Sequence, residues 1–167
     1  MIAWSNIKRG PGTDSVPVEY QTVLQFPTPE TPWGWFDPAE PDMEPVAESG
    51  WQRWRLLEPL TYHRSLGVSH TAATGMVTDG ASIPWILAPL AGQRMTGMHL
   101  LPAFIHDELC ERADELGGSA GLRVRQYADR IFPDMIRAAG GSRWSAWSKG
   151  CAVRLGTLWA KITGKLG

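Results

Sequence analysis

From residue 98 onward, apolar side chains recur every three or four positions. In "MHLLPAFIHDELCERADEL" (98–116), Leu101, Ile105, Leu109, Ala113 and Leu116 share one stripe, which predicts an amphipathic helix. Gly117-Gly118 is a suitable stop for it. "GLRVRQYADRIFPDMIRAAGG" predicts a second helix, closed by Gly140-Gly141. "SRWSAWSKGCAVRLGTLWAKITG" predicts a third, with Ser142 as its N-cap. Its apolar residues Trp144, Trp147, Cys151, Leu155, Leu158 and Ile162 step by three or four, a stripe expected to be buried with Arg and Lys opposite. "IPWILAPLAG" reads as a short helical turn broken at Pro89.

Upstream the pattern changes. "WRLLEPLTYHR" and "GVSHTAATGMVT" mix aromatic and branched residues around a turn at Ser65-Leu66-Gly67, which predicts a small antiparallel β meander. "VPVEYQTVLQF" (16–26) suits a short strand. The expected fold class is therefore α+β: a small antiparallel meander followed by a three-helix, mainly antiparallel half. A short link between the first two helices requires them to pack antiparallel.

Residues 1–50 hold eight of the thirteen prolines. "FPTPETPWGWFDPAEPDMEPVAESG" cannot be helical, because proline removes a donor and clashes with the preceding turn. The expected division is an extended Pro/Trp-rich arm over 1–50, serving as an interaction segment, and a globular domain over 51–167. Trp33, Trp35, Phe36 and Trp51 are the candidate binding residues of the arm, since aromatic rings commonly anchor interfaces. The competing expectation is that these rings pack back on the domain.

The net charge of −1 gives no clear nucleic-acid signal. Its distribution is uneven. Residues 1–50 carry two basic and eight acidic side chains, and residues 123–167 carry nine basic and two acidic. No run of about 18 apolar residues suggests a transmembrane segment, and "MIAWSNIKRGPG" lacks the apolar core of a signal peptide. Cys110 and Cys151 read as free thiols, or at most as one bridge.

Two stretches carry candidate chemistry. "VTDGASIPW" (77–85) offers Asp79 and Ser82, and "IHDELC" (105–110) offers His106 and Asp107. Neighbouring helical residues point about 100° apart, so His106 and Asp107 do not face each other, yet both can border one cleft. Cys110 lies one turn beyond His106. Asp129, on the second helix, is expected either to face His106 across the seam and fix its orientation or to lie in solvent paired with Arg125 or Arg130 of its own helix. The candidate catalytic set is His106, Asp107, Asp129 and Asp79, with Ser82 as a binding residue. Asp79 and Asp107 are candidate oxygen ligands for a divalent cation. The bland alternative makes Asp79-Gly80 a turn, Ser82 an N-cap, His106 a hydrogen-bonded core histidine and Asp107 a solvent-side carboxylate. Arg94 or Arg130 is a simpler source of positive charge than a metal.

"GMVTDGASIPWIL", "AFIHDELC", "ADRIFPDMIRAAGG" and "AVRLGTLW", in this order, resemble the phage and prophage family called domain of unknown function 1353. The resemblance spans about residues 52–160. Gly80 stands where that family often has a larger residue, and Pro133 interrupts a helix that it usually leaves smooth. The His106, Asp107 and Asp129 set is also similar in kind to the helix pair of secretory phospholipases of the A-two class, without their glycine-rich calcium loop and disulfides. The family has no settled activity, and its members accompany phage structural and lysis genes. The resemblance therefore implies a virion-associated protein of the tail or neck, whose arm over 1–50 binds other virion proteins. The second expectation is a small metal-assisted hydrolase acting on lipid or cell-wall material, and the third a cytoplasmic anti-defence binding module. The implied location is the virion or the host cytoplasm.

Overall fold

The computed structural model describes residues 32–48, 51–65, 67–80 and 100–163. The strand expected at 16–26, the turn expected at 83–92, Ser82 and Arg94 lie outside them. The fold is α+β, with two three-stranded antiparallel sheets followed by three helices.

The strands are β1 (Trp35–Asp37), β2 (Met43–Glu48), β3 (Trp51–Leu56), β4 (Leu60–His63), β5 (Ser69–Ala72) and β6 (Val77–Thr78). One sheet has the order β1-β4-β5 and the other β2-β3-β6. The register sets complementary side chains opposite each other. Glu44 pairs with Arg55 and accepts its guanidinium at 2.8 Å; Thr61 and Thr71 share a hydroxyl bond at 2.9 Å.

Two strands fall inside the stretch expected to run as an arm. β1 pairs with β4 and β2 with β3, so residues 35–37 and 43–48 are sheet rather than free chain. The aromatic cluster is corrected accordingly. Phe36 is buried in the core against Tyr62, and Trp35 stacks on His63 with ring centroids 4.8 Å apart. Trp33 is exposed, with the Arg137 guanidinium over its ring. The side chain of Trp51 lies outside the described residues. Composition misleads here because proline forbids helix but tolerates an edge strand: Pro45 sits in β2, at the rim of its sheet. Gly34 fixes the entry to β1. Its φ is +92°, and a Cβ there would stand 2.2 Å from the His63 carbonyl oxygen, so only glycine fits. The buried Tyr62 hydroxyl donates to the Trp33 carbonyl and holds this entry down.

The helices are α1 (Leu101–Leu116), α2 (Gly118–Ala138) and α3 (Arg143–Ile162). α1 and α2 are linked through Gly117, whose φ is positive. Their contacts recede from the turn in step: Gly121 against Ala113, Arg125 on Asp114 and Cys110, Asp129 on His106. This is antiparallel pairing, as expected. The α1 stripe is buried through Leu101, Ile105, Leu109 and Ala113, but Leu116 is exposed beyond the packed seam. α2 runs on through Pro133. The core joins Leu56, Leu60, Tyr62 and Ala72 of the sheets to Phe104, Ile105, Ile131, Phe132, Met135 and Ile136 of the helices.

α3 overturns one expectation. Ser142 caps it as expected, accepting from the Ser145 amide at 3.0 Å. The side facing inward, however, is made of Ala146, Ser148, Gly150 and Ala152. Trp144, Trp147, Leu155, Leu158 and Ile162 are exposed, and Cys151 is half-buried. Close approach decides the matter: a Cβ on Gly150 would stand 2.5 Å from the Pro133 ring, so α3 meets α2 on its smallest residues.

Candidate active site

β6 ends at Thr78, and the chain turns at Gly80, where φ is +84°. The buried Thr78 hydroxyl organises this turn. It accepts the Gly80 amide at 3.1 Å and donates to Asp107 Oδ2 at 2.6 Å. The first of the two candidate stretches is thereby tied to the second. The sequence marks Asp79-Gly80 as a turn but does not single out Thr78. A threonine before Asp-Gly was the available signal, since a hydroxyl can close such a turn.

α1 presents His106, Asp107 and Cys110, and α2 presents Asp129. His106 Nε2 lies 2.9 Å from Oδ1 of Asp129, which is buried. The ring packs at a tilt on Phe132, with centroids 4.9 Å apart. Nδ1 is less tightly held: Asp107 Oδ1 is 3.6 Å away, and Cys110 Sγ makes a weak sulfur contact at 3.7 Å. Burial of the ring disfavours its charged form. Attraction to Asp107 and Asp129, with the Cys110 thiol adding to it, outweighs that burial and holds the imidazole pKa well above its ordinary value. The surroundings of His106 thus favour its charged form, in which both ring nitrogens carry protons.

The site opens into a cleft of about 480 Å³ bordered by Asp79, His106, Asp107, Cys110, Arg53 and Arg125. Val153, Gly156, Thr157 and Trp159 of α3 form its opposite wall. The structure thus brings Asp79, His106 and Asp107 to one cleft and sets Asp129 behind the histidine. Asp79 is exposed at the rim. Positive charge comes from Arg53 and Arg125, not from Arg130, which borders a different groove. Burial works against the charge on Arg125, but its 2.6 Å bond to Asp114 outweighs this. Among the described residues, no three of His, Cys, Asp and Glu are arranged to hold a metal ion. Cys110 and Cys151 are both free thiols.

A family model described as "Protein of unknown function (DUF1353)" matches residues 54–153. The chain belongs to the DUF1353 family. The DUF1353 match begins within β3, after β1 and β2, and ends in the middle of α3. It includes Thr78, Asp79, His106, Asp107 and Asp129. No curated protein and no solved structure matches the chain.

Proposed function

We propose that the cleft is a hydrolytic site working by acid–base chemistry, with His106 as the proton donor. One observation carries this reading. Asp129 anchors Nε2 at 2.9 Å, while Nδ1, on the other edge of the ring, has its polar neighbours at 3.6 Å or more. A charged imidazole held by one nitrogen and loosely engaged at the other is arranged to give up a proton. Asp79 at the rim is the matching carboxylate base. It takes a proton from water as the water oxygen adds to an ester or amide carbon, and the leaving oxygen or nitrogen takes the Nδ1 proton as its bond breaks. Arg53 and Arg125 offset the negative charge that develops. Asp129 is a positioning residue.

The test is hydrolysis, by the purified protein, of unactivated alkyl esters and amides of graded chain length, whose leaving groups need a proton to depart. His106→Gln and Asp79→Asn are expected to lower turnover by roughly 10²–10⁴-fold, with the fold retained by circular dichroism. Full turnover in folded His106→Gln sinks the reading. Turnover abolished by a chelator and restored by a divalent cation reassigns Asp79 and Asp107 to a metal-assisted mechanism.

A second reading, an assembly role in a phage tail or neck, is supported by the Pro/Trp-rich N-terminal composition and by the exposed Trp33 beside β1. Particles assembled with protein lacking residues 1–31 are then expected to omit it. Incorporation at normal levels removes this reading. Both roles suit the virion or the host cytoplasm.

A further inference from the structure

α3 turns its large apolar residues away from the core. Trp144 and Ile162 are each 70% exposed and Trp159 is 61% exposed; Trp147, Leu155 and Leu158 stand on the same side. Trp144 and Trp147 rest against each other at 5.0 Å. Exposed apolar patches of this kind mark contact surfaces. Charge says what kind of contact. From Arg143 to the end of the chain there are five basic residues and no acidic one. Arg143, Arg154 and Lys161 are eleven and seven residues apart, close to whole numbers of helical turns, so they form one row beside the apolar stripe.

A second feature adjoins this face. A groove of about 440 Å³ between α2 and α3 is bordered by Leu122, Arg130, Arg154, Thr157, Leu158 and Lys161. None of its three cations has an ion-pair or hydrogen-bond partner among the described residues. The one carboxylate at the groove, Asp129, is already bonded to His106.

We propose that the exposed face of α3, together with the groove ringed by Arg130, Arg154 and Lys161, is a docking surface for an anionic phospholipid bilayer. Trp, Leu and Ile at the level of the headgroups, flanked by Lys and Arg, is the composition of a helix that lies in a membrane interface. The groove accepts a phosphate headgroup beside it. Leu155, Leu158 and Ile162 have no use in gripping a nucleic acid, which favours lipid over another polyanion. Among the described residues no helix is long and apolar enough to cross a membrane, so the contact is peripheral. Trp159 belongs both to this face and to the wall of the cleft, so a docked bilayer lies at the cleft mouth. The surface stands on exposure and charge alone and goes beyond the catalytic reading.

The experiment is flotation of the full chain with vesicles of equal parts phosphatidylglycerol and phosphatidylcholine, and with phosphatidylcholine alone. Binding to the anionic vesicles, with a blue shift of tryptophan emission, is expected. Arg130→Gln, Arg154→Gln and Lys161→Gln, all solvent-facing changes, are each expected to weaken it roughly fivefold. Trp144→Ser, Trp147→Ser and Trp159→Ser combined are expected to abolish the blue shift. The proposal is overturned by no binding to either vesicle, by equal binding to both, or by variants that bind as well as the parent. It is also overturned if those same variants lose binding to a single-stranded oligonucleotide, or lose a self-association seen by sedimentation, while vesicles are ignored.

Discussion

The Thr78 hydroxyl donates to Asp107 Oδ2 at 2.6 Å and, through the same oxygen, accepts the Gly80 amide. One buried oxygen thus closes the turn after β6 and fastens that turn to the helix bearing the histidine. Thr78→Val keeps the shape and removes both bonds. It is expected to cost about 1–3 kcal/mol, because a buried amide and a carboxylate oxygen lose their partner. Urea unfolding measures this, and a midpoint equal to that of the parent means that the bond adds nothing.

The His106–Asp129 pair makes stability depend on pH. The folded pKa of His106 is raised above its ordinary 6.5, so the folded state holds the proton more tightly than the unfolded chain. Its contribution is complete below that ordinary value and is lost as pH rises through the raised value. The difference in unfolding free energy between the parent and His106→Gln is therefore expected to shrink on going from neutral to alkaline pH. A constant or growing difference contradicts the ion pair. If His106 is the proton donor, turnover falls over the same alkaline window.

Asp129→Asn leaves the packing nearly unchanged but removes the buried charge facing the imidazolium. A cost of roughly 3–5 kcal/mol is expected around neutral pH, the range for breaking a buried pair. The His106 pKa, followed by its ring-proton NMR signals, is expected to move down. A shift upward contradicts the assigned partnership.

The two sides of α3 are expected to respond oppositely. Leu155→Ala and Leu158→Ala cost less than about 0.5 kcal/mol, as exposed positions do. Gly150→Ala forces a methyl into the Pro133 ring and costs about 1–3 kcal/mol. Thermal denaturation of the three variants compares them, and the reverse order contradicts the observed facing of the helix.

Residues 32–48 are part of the folded unit. A chain beginning at residue 32 is expected to unfold as cooperatively as the full one. A chain beginning at residue 49 loses β1, β2 and the buried Phe36, and is expected to lose its cooperative transition. A folded, stable 49–167 chain would mean that the two strands are an accessory.

What the sequence determined by itself is local. The 3.6-residue periodicity placed all three helices, the glycines at 117 and 140 their ends, and Ser142 the cap of the last, because these depend on neighbours within a turn or two. A single short link was enough to put Asp129 opposite His106. The strands at 35–37 and 43–48 were not legible, because their partners lie elsewhere in the chain and proline-rich composition hides an edge strand. Thr78 was passed over because Asp107, its acceptor, is 29 residues away. The periodicity of α3 showed a stripe but not which way it faces. Tertiary packing decided that: Gly150 lets α3 close on Pro133 through its small residues, and the large ones are left outside.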